Sequence, residues 1–213
     1  MRIDVFSDVV CPWCFVGKRR LEQALAAAKV TDADIHWHAF QLNPDLPAEG
    51  VDRRQYLEAK FGPDAMERIH ARLDDVGRSV GIEFQFDRIG RSPNTLDAHR
   101  LLWLAGTQGR QGALKEALLT AYFLEGRDVG DRAVLADIAA RNGLVGDIAA
   151  FLAGDAGLQE VRGDLAAAAQ LQITGVPFFI FDGRHAFAGA QPPEVFTQAL
   201  DAVRHAPAGR PIG

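Results

Sequence analysis

The chain has 213 residues, of which 48% are hydrophobic and 24% are charged, as is usual for a globular protein with a substantial core. The formal net charge is -5, and because residues of both signs are interspersed there is no electrostatic case for binding nucleic acid. No stretch approaches the roughly 18 consecutive apolar residues of a membrane-spanning helix, and the N-terminus lacks the apolar segment of a secretory signal. We therefore expect a cytoplasmic protein with no nucleic-acid or membrane partner.

The N-terminal part of the chain predicts a strand–helix–strand unit. Residues 3–6 predict the first strand. A helix is predicted from Cys11 or Pro12 to about Ala28, because proline suits a first helical turn and apolar residues then recur at helical spacing. Residues 34–40 alternate polar and apolar side chains, which predicts a second strand. The intervening helix is long enough for the two strands to pair in parallel.

The middle of the chain is helical in pattern. One helix is predicted over residues 92–105, with Ser92 as the N-cap and Pro93 in the first turn. Residues 114–124 and 132–140 predict two further helices.

The β pattern returns near the C-terminus. The dipeptide Asp182-Gly183, which is typical of a hairpin turn, lies between predicted strands at 176–181 and 185–188. A last helix with an apolar face is predicted after residue 192.

This order of elements predicts an α/β, thioredoxin-like fold with a large helical domain inserted between its βαβ and ββα halves. We expect the N-terminal half at residues 1–48, the helical insertion domain at 49–170 and the C-terminal half at 171–213. The two halves are expected to share one sheet, and the inserted helices are expected to cover a substrate groove.

The only two cysteines of the chain, Cys11 and Cys14, lie three positions apart at the start of the first predicted helix. Because a helix N-terminus stabilises a thiolate, Cys11 is the predicted nucleophile of a redox-active dithiol, and Cys14 is the predicted resolving thiol. One alternative is that both are small core residues. A zinc site is a weaker alternative, since there is no second cysteine pair and the six histidines are scattered. We predict no metal and no organic cofactor.

The dipeptide Val176-Pro177 is a second unusual feature, because a proline at the start of a buried strand cannot donate to the ladder. One explanation is a cis peptide bond that leaves the backbone of Val176 free to pair with an extended substrate. The other is a trans proline at a strand edge.

Four segments together resemble the DsbA-like thioredoxin-fold oxidoreductases. They are Phe6-Ser7-Asp8 before Cys11-Pro12-Trp13-Cys14, Phe40 to Pro44, Asn94 to Leu101, and Thr174 to Phe179. The Cys-Pro-Trp-Cys motif makes the chain most similar to the cytoplasmic FrnE-type subgroup. The resemblance implies a protein disulfide oxidoreductase or isomerase, and it implies that Pro177 is the cis-proline of the family.

The resemblance also implies which residues bind the substrate. In addition to the two cysteines, the resemblance implies four substrate-binding residues: Pro12, Trp13, Val176 and Pro177. It further implies that Asn94 lies near the thiols and that His99 follows one turn later, both as substrate-binding residues. The alternatives are that Asn94 caps a helix and that His99 is a satisfied interhelical histidine. Asp8 is either a proton-transfer partner or a carboxylate that pairs with the helix dipole.

Glutathione-dependent relatives provide an alternative function. Kappa-class transferases and 2-hydroxychromene-2-carboxylate isomerases resemble this chain in fold, but they typically carry serine at the position of Cys11. Two thiols favour disulfide exchange with a protein or small-molecule thiol or disulfide, and glutathione is a candidate co-substrate. A third alternative is a non-catalytic binding module. Because Trp13 stands where periplasmic DsbA has histidine, we expect a less oxidising couple. A monomer or a homodimer is compatible with the sequence.

Overall fold

The structure, a computed structural model, describes residues 1–205. Within them the strands are β1 (Arg2–Ser7), β2 (Asp34–Ala39), β3 (Val51–Asp52), β4 (Arg91–Ser92), β5 (Phe178–Phe181) and β6 (His185–Ala188). The helices are α1 (Pro12–Ala27), α2 (Arg53–Phe61), α3 (Pro63–Ser79), α4 (Leu96–Thr107), α5 (Gln111–Phe123), α6 (Arg132–Arg141), α7 (Ile148–Ala153), α8 (Leu158–Gln170) and α9 (Pro193–His205). The last eight residues of the predicted C-terminal half, 206–213, lie outside the described residues.

Four strands form one sheet in the order β2–β1–β5–β6. β1 and β2 are parallel, with Arg2 opposite Asp34 and Ser7 opposite Ala39. β5 is antiparallel to both β1 and β6. The β segments from the two ends of the chain therefore share one sheet, and the predicted α/β thioredoxin-like fold with a helical region is confirmed. The limits of the three predicted parts stay a prediction.

One face of the sheet packs against α1 and α9. Ile3 and Val5 of β1 and Phe179 and Phe181 of β5 are fully buried there. The ring of Phe179 meets that of Phe196 on α9 edge-on, with the centroids 4.9 Å apart. Each such side chain contributes about 1.5–3 kcal/mol through burial, so this face holds the two halves of the fold together.

A second apolar core lies among the inserted helices, and α1 takes part in it. Phe15 and Val16 of α1 are buried in this cluster. The Phe15 ring lies 6.2 Å from Phe84 and 6.3 Å from Phe123, measured between ring centroids. Because Leu21 on the same helix belongs to the core under the sheet, α1 is packed into both cores. Its N-terminus is therefore held between the sheet and the helical region.

The helix predicted to begin at Ser92 begins instead at Leu96. Ser92 lies in β4, where it pairs with Val51 of β3. Thr95 is the N-cap of α4 and makes no side-chain cap hydrogen bond, while the Asn94 side chain just before it accepts a hydrogen bond from the Leu96 N–H at 3.0 Å. A Cβ on Gly50, whose φ is +68°, would lie 2.7 Å from the Ser92 carbonyl oxygen. This contact between distant segments holds the residues before α4 in an extended conformation.

β5 begins at Phe178, two residues later than the strand predicted at 176–181. Pro177 has no N–H to donate to a strand neighbour, so the ladder starts after it. The predicted hairpin turn is confirmed, because Asp182 and Gly183 have positive φ values of 47° and 63°, as a type I′ turn requires.

None of the described helices is both long and apolar enough to cross a bilayer.

His38 connects the sheet to α8. Its Nδ1 lies 2.8 Å from Asp164 Oδ1, its Nε2 lies 2.8 Å from Asp4 Oδ1, and its ring stacks on Phe6. Burial lowers the pKa of His38, but the hydrogen bonds and charges of Asp164 and Asp4 outweigh it and raise the pKa to about 9. His38 is therefore a partly buried cation between two carboxylates at neutral pH.

We expect His38→Gln to destabilise the protein in a pH-dependent way. Because the pKa of His38 is raised on folding, its contribution is complete below the ordinary histidine value of about 6.5 and is lost as the pH rises through about 9. The deficit in the free energy of unfolding should be on the order of 2 kcal/mol at low pH and should shrink as the pH rises. Urea unfolding across this range measures it. The matched control is His36→Gln, because His36 lies two residues earlier on the same strand and its side chain is more exposed. A deficit that does not change with pH would contradict this account.

Candidate functional site

The two cysteines lie at the start of α1. Cys11 is the N-cap of the helix, and Cys14 lies in its first turn, after Pro12. Both thiols are free and buried, with 3% of Cys11 and 1% of Cys14 exposed. The two cysteine side chains lie 3.3 Å apart. A small side-chain movement would therefore bring the sulfur atoms to disulfide distance.

The Cys11 thiol faces the loop before β5. Its Sγ donates a hydrogen bond to the carbonyl oxygen of Val176 at 3.5 Å, across 165 positions of sequence. The Val176–Pro177 peptide bond is cis. Pro177 packs closely on α1, since a Cβ on Gly17 would lie 2.9 Å from Pro177 Cγ. The structure thus brings Cys11, Val176 and Pro177 together.

The Cys14 thiol is buried more deeply than that of Cys11. Burial raises the pKa of Cys14 well above its usual range, and the neighbouring Cys11 thiol adds to this rise. The charge of Lys115 and a hydrogen bond from the Asp8 backbone lower the pKa of Cys14, but their effect is smaller than the rise that burial causes. Cys14 is therefore a protonated thiol near neutral pH, and it has to lose that proton before it can attack a disulfide.

Asp8 and His99 form a buried pair in the same region. The Asp8 carboxylate accepts hydrogen bonds from the N–H groups of Val9 and Leu42, both at 2.8 Å, and lies 3.2 Å from His99 Nε2. Burial alone would raise the pKa of Asp8, but His99 and the Leu42 N–H outweigh it and lower the pKa. Asp8 therefore keeps a negative charge inside the protein. The His99 side chain is therefore paired with a carboxylate from the loop before α1.

Asn94 joins the loop after β2 to the start of α4. Its Nδ2 donates to the Leu46 carbonyl at 2.7 Å, while its Oδ1 accepts from Gln41 Nε2 at 3.1 Å and from the Leu96 N–H. Neither Asn94 nor His99 lines the cavity next to Cys11. The substrate-binding roles implied for these two residues stay predictions, and their observed contacts are structural.

A cavity of about 320 Å³ opens beside Cys11. The Cys-Pro-Trp-Cys motif and the loop before β5 contribute four of the predicted site residues to its wall: Cys11, Pro12, Trp13 and Val176. Side chains of α2, α3 and the segment that follows them make the facing wall largely apolar: Leu57, Phe61, Met66, Ile69, Leu73 and Phe86. Helices α2 and α3 therefore line this cavity together with the Cys-Pro-Trp-Cys motif.

The charged groups in this cavity are cationic. Arg53 and Lys60 line it, and no Asp or Glu is among its described lining residues. His70 also lines the cavity, but burial and the charge of Arg53 lower the pKa of His70 and so disfavour its cationic form. Arg53 donates to the Tyr122 hydroxyl at 3.0 Å, and Lys60 donates to Asn43 Oδ1 at 2.8 Å. Because both partners are neutral, the two positive charges remain available to an anionic ligand. Sequence reasoning missed these residues, since nothing in the helical pattern sets them apart from other surface cations.

Lys115 on α5 was also missed. It is 0% exposed, and its Nζ has no hydrogen-bond partner among the described residues. The sequence did contain a signal, because Lys115 lies at helical spacing from the apolar residues Leu118 and Leu119. Lysine is rarely buried on the apolar face of a helix, so this position needs a structural or functional explanation.

Among the described residues, no group of three or more His, Cys, Asp or Glu side chains is arranged to hold a metal ion.

Structural comparison finds the same fold in proteins of known structure. A probable DsbA oxidoreductase from Streptomyces coelicolor superposes with a TM-score of 0.90 and is 36% identical, with 99% of this chain and 93% of that chain covered. The cytosolic disulfide reductase DsbM from Pseudomonas aeruginosa has a TM-score of 0.67 and 21% identity, with 97% of this chain and 100% of that chain covered.

Sequence comparison leads to the same group. The Bacillus subtilis protein YwbO is 27% identical over 202 residues, which are 94% of this chain and 96% of YwbO. The family model of the DSBA-like thioredoxin domain matches residues 2–201. Since that match spans nearly the whole chain, including both cysteines and the loop of Pro177, the protein belongs to the DsbA-like thioredoxin oxidoreductase family.

Proposed function

We propose that this protein is a thiol–disulfide oxidoreductase of the FrnE type, in which Cys11 attacks the substrate and Cys14 resolves the mixed disulfide. The observation that carries the proposal is the placement of two free thiols 3.3 Å apart at the start of α1, with Cys11 on the wall of a cavity. The Cys-Pro-Trp-Cys motif supports the subgroup. The dithiol itself holds the two electrons, so the reaction needs no metal or organic cofactor.

The reaction has two exchange steps. The Cys11 thiolate attacks one sulfur of a substrate disulfide, a bond forms between Cys11 Sγ and that sulfur, and the other sulfur leaves as a thiolate that takes up a proton. Cys14 then attacks Cys11 Sγ, which closes the internal disulfide and releases the second substrate thiol. Two electrons pass from the dithiol to the substrate, and the reverse sequence oxidises a substrate dithiol.

The loop before β5 positions the substrate in this scheme. The Val176 carbonyl accepts the S–H of Cys11 in the free protein. Once Cys11 is a thiolate this hydrogen bond no longer exists, and the carbonyl can accept an N–H of an extended substrate, as in strand addition. Pro12 and Trp13 lie on the same cavity wall and contact the substrate next to the reacting sulfur.

Because Arg53 and Lys60 make the cavity cationic, an anionic thiol compound is the small-molecule substrate that this cavity would bind beside the dithiol. Arg53 and Lys60 would face the carboxylates of glutathione, which is the co-substrate we propose, while protein disulfides reach Cys11 from outside. A structure of the fold neighbour DsbM has been solved with GSH, and DsbM is described as cytosolic. Both points support a cytoplasmic protein that exchanges electrons with small thiols.

We expect Arg53→Gln to raise KM for glutathione disulfide by about fivefold, which is the worth of one partly screened charged hydrogen bond, and to leave kcat nearly unchanged. KM for a neutral disulfide such as hydroxyethyl disulfide should not change. Steady-state kinetics with the two substrates measures the difference. Arg54→Gln is the matched control, because Arg54 is exposed, pairs with Glu58 and lines only the neighbouring cavity. Equal effects on both substrates would argue against an anion site.

Ellman's reagent tests the proposed function directly. The reduced protein should release two equivalents of thionitrobenzoate, one for each exchange step, and peptide mass spectrometry should then find a Cys11–Cys14 disulfide. Release of one equivalent, or two adducts without an internal disulfide, would contradict the proposal.

Two rival functions have different signatures. A glutathione-dependent transferase or isomerase would show saturable turnover with glutathione that persists in Cys14→Ser. A binding module would retain its partner in Cys11→Ser and would show no reductase activity. The presence of Cys11 rather than serine argues for exchange over the first rival.

A further inference from the structure

Lys115 is a buried cation-forming group next to the redox motif. None of its surface is exposed, its Nζ has no described hydrogen-bond partner, and its nearest aromatic contact is the ring of Trp37, 5.5 Å from Nζ to the centroid. An unpaired ammonium in such a site is costly, whereas a neutral amine is tolerated and is a base. This environment therefore favours a lysine that exchanges its proton.

The charged groups around Lys115 come from α1 and from the segment after β1. The groups whose charges act on Lys115 are Cys14 and Lys18 on α1, Cys11 at its N-cap, and Asp8 in the loop that precedes that helix. Burial lowers the pKa of Lys115. The charges of Cys14, Asp8 and Cys11 act to raise this pKa, and the charge of Lys18 acts to lower it further. The balance lowers the pKa, so the neutral amine is accessible beside the protonated thiol of Cys14.

Asp8 is the other group that could take a proton from Cys14, and its contacts argue against it. Both of its oxygens are occupied, by the N–H groups of Val9 and Leu42 and by His99. These partners lower the pKa of Asp8, which makes it a poor proton acceptor. Its fixed negative charge instead stabilises a protonated Lys115.

We propose that Lys115 accepts the proton of the Cys14 thiol when the mixed disulfide at Cys11 is resolved. This inference rests on the proposed function. The proton of Cys14 Sγ ends on Lys115 Nζ, the Cys14 thiolate attacks Cys11 Sγ, and the bond between Cys11 and the substrate sulfur breaks. The substrate leaves as a thiolate that is protonated from solvent. The new ammonium lies near the carboxylate of Asp8, so the step does not leave an isolated charge in the core.

The two phases of thionitrobenzoate release separate this step from the first attack. In stopped-flow experiments the first phase reports attack by Cys11, and the second reports resolution by Cys14. We expect Lys115→Met to leave the first phase nearly unchanged and to slow the second about tenfold near neutral pH, the effect of a one-unit rise in the pKa of Cys14. The pH profile of the second phase should move upward accordingly.

Lys29→Met is the control. Lys29 is exposed just after the end of α1, and both phases should keep their wild-type rates. The proposal is overturned if Lys115→Met resolves at the wild-type rate, or if both lysine variants slow both phases alike. A wild-type protein without a second phase would instead contradict the proposed function itself.

A measurement on the wild-type protein covers the case in which Lys115→Met does not fold. NMR of lysine labelled with ¹³C at Cε follows the titration of the buried amine. The titration midpoint of Lys115 should differ between the dithiol form and the Cys11–Cys14 disulfide, because oxidation removes the two titratable thiols whose charges act on Lys115. An identical midpoint in both forms would also overturn the proposal.

Discussion

Replacement of Cys11 with serine is expected to abolish disulfide exchange, with a loss of at least about 10³-fold, because a hydroxyl is not ionised at neutral pH and cannot attack sulfur. The remaining thiol, Cys14, is buried and has a raised pKa, so it should not substitute for Cys11. Reduction of insulin in the presence of dithiothreitol measures the loss. Activity near the wild-type level in Cys11→Ser would reject the assignment of the nucleophile.

Cys14→Ser is the matched variant, and it should fail at a different step. Cys11 remains reactive, so the protein should form a mixed disulfide with its substrate that it cannot resolve. Mass spectrometry of the intact protein should find this adduct on Cys14→Ser and not on Cys11→Ser. If neither variant carried an adduct, or if both did, the roles of the two cysteines would have to be reassigned.

Arg100→Met is expected to cause the largest loss of stability, about 3–5 kcal/mol, because it leaves several buried acceptors unpaired. The side chain of Arg100 is almost completely buried. Its Nε donates to the Ala156 carbonyl at 2.8 Å, and its terminal nitrogens donate to the Phe151 carbonyl at 2.8 Å and to Asp97 at 2.6 Å. These carbonyls lie at and beyond the end of α7, where a helix leaves acceptors without partners.

Urea unfolding of Arg100→Met and of Arg132→Met tests this expectation. Arg132 binds the same carboxylate, Asp97, at 2.7 Å, but its side chain is 58% exposed. Loss of that exposed ion pair should cost no more than about 1 kcal/mol. Similar losses in the two variants would show that burial of the Arg100 guanidinium does not dominate its contribution.

Local patterns were sufficient for the elements at the two ends of the chain. The first strand, α1 and the second strand follow from periodicity and from Pro12 in a first turn, and the hairpin follows from Asp182-Gly183. These features depend on neighbours within a few residues, which the sequence displays directly. The start of α4 was wrong because Ser92 pairs with Val51, and strand pairing between distant segments leaves no local pattern.

The chemistry of the site also has one part that follows from local sequence and another that depends on contacts between distant segments. By itself the sequence determined that two thiols lie at a helix start, which is enough to predict a dithiol couple with Cys11 as nucleophile. Only the tertiary structure brought the Val176 carbonyl to Cys11, gathered Arg53 and Lys60 beside it, and buried Lys115 without a partner. The physical reason is that proton affinity and ligand preference depend on burial and on charges from distant segments. Burial, and the approach of charges from distant segments, arise only once the chain has folded.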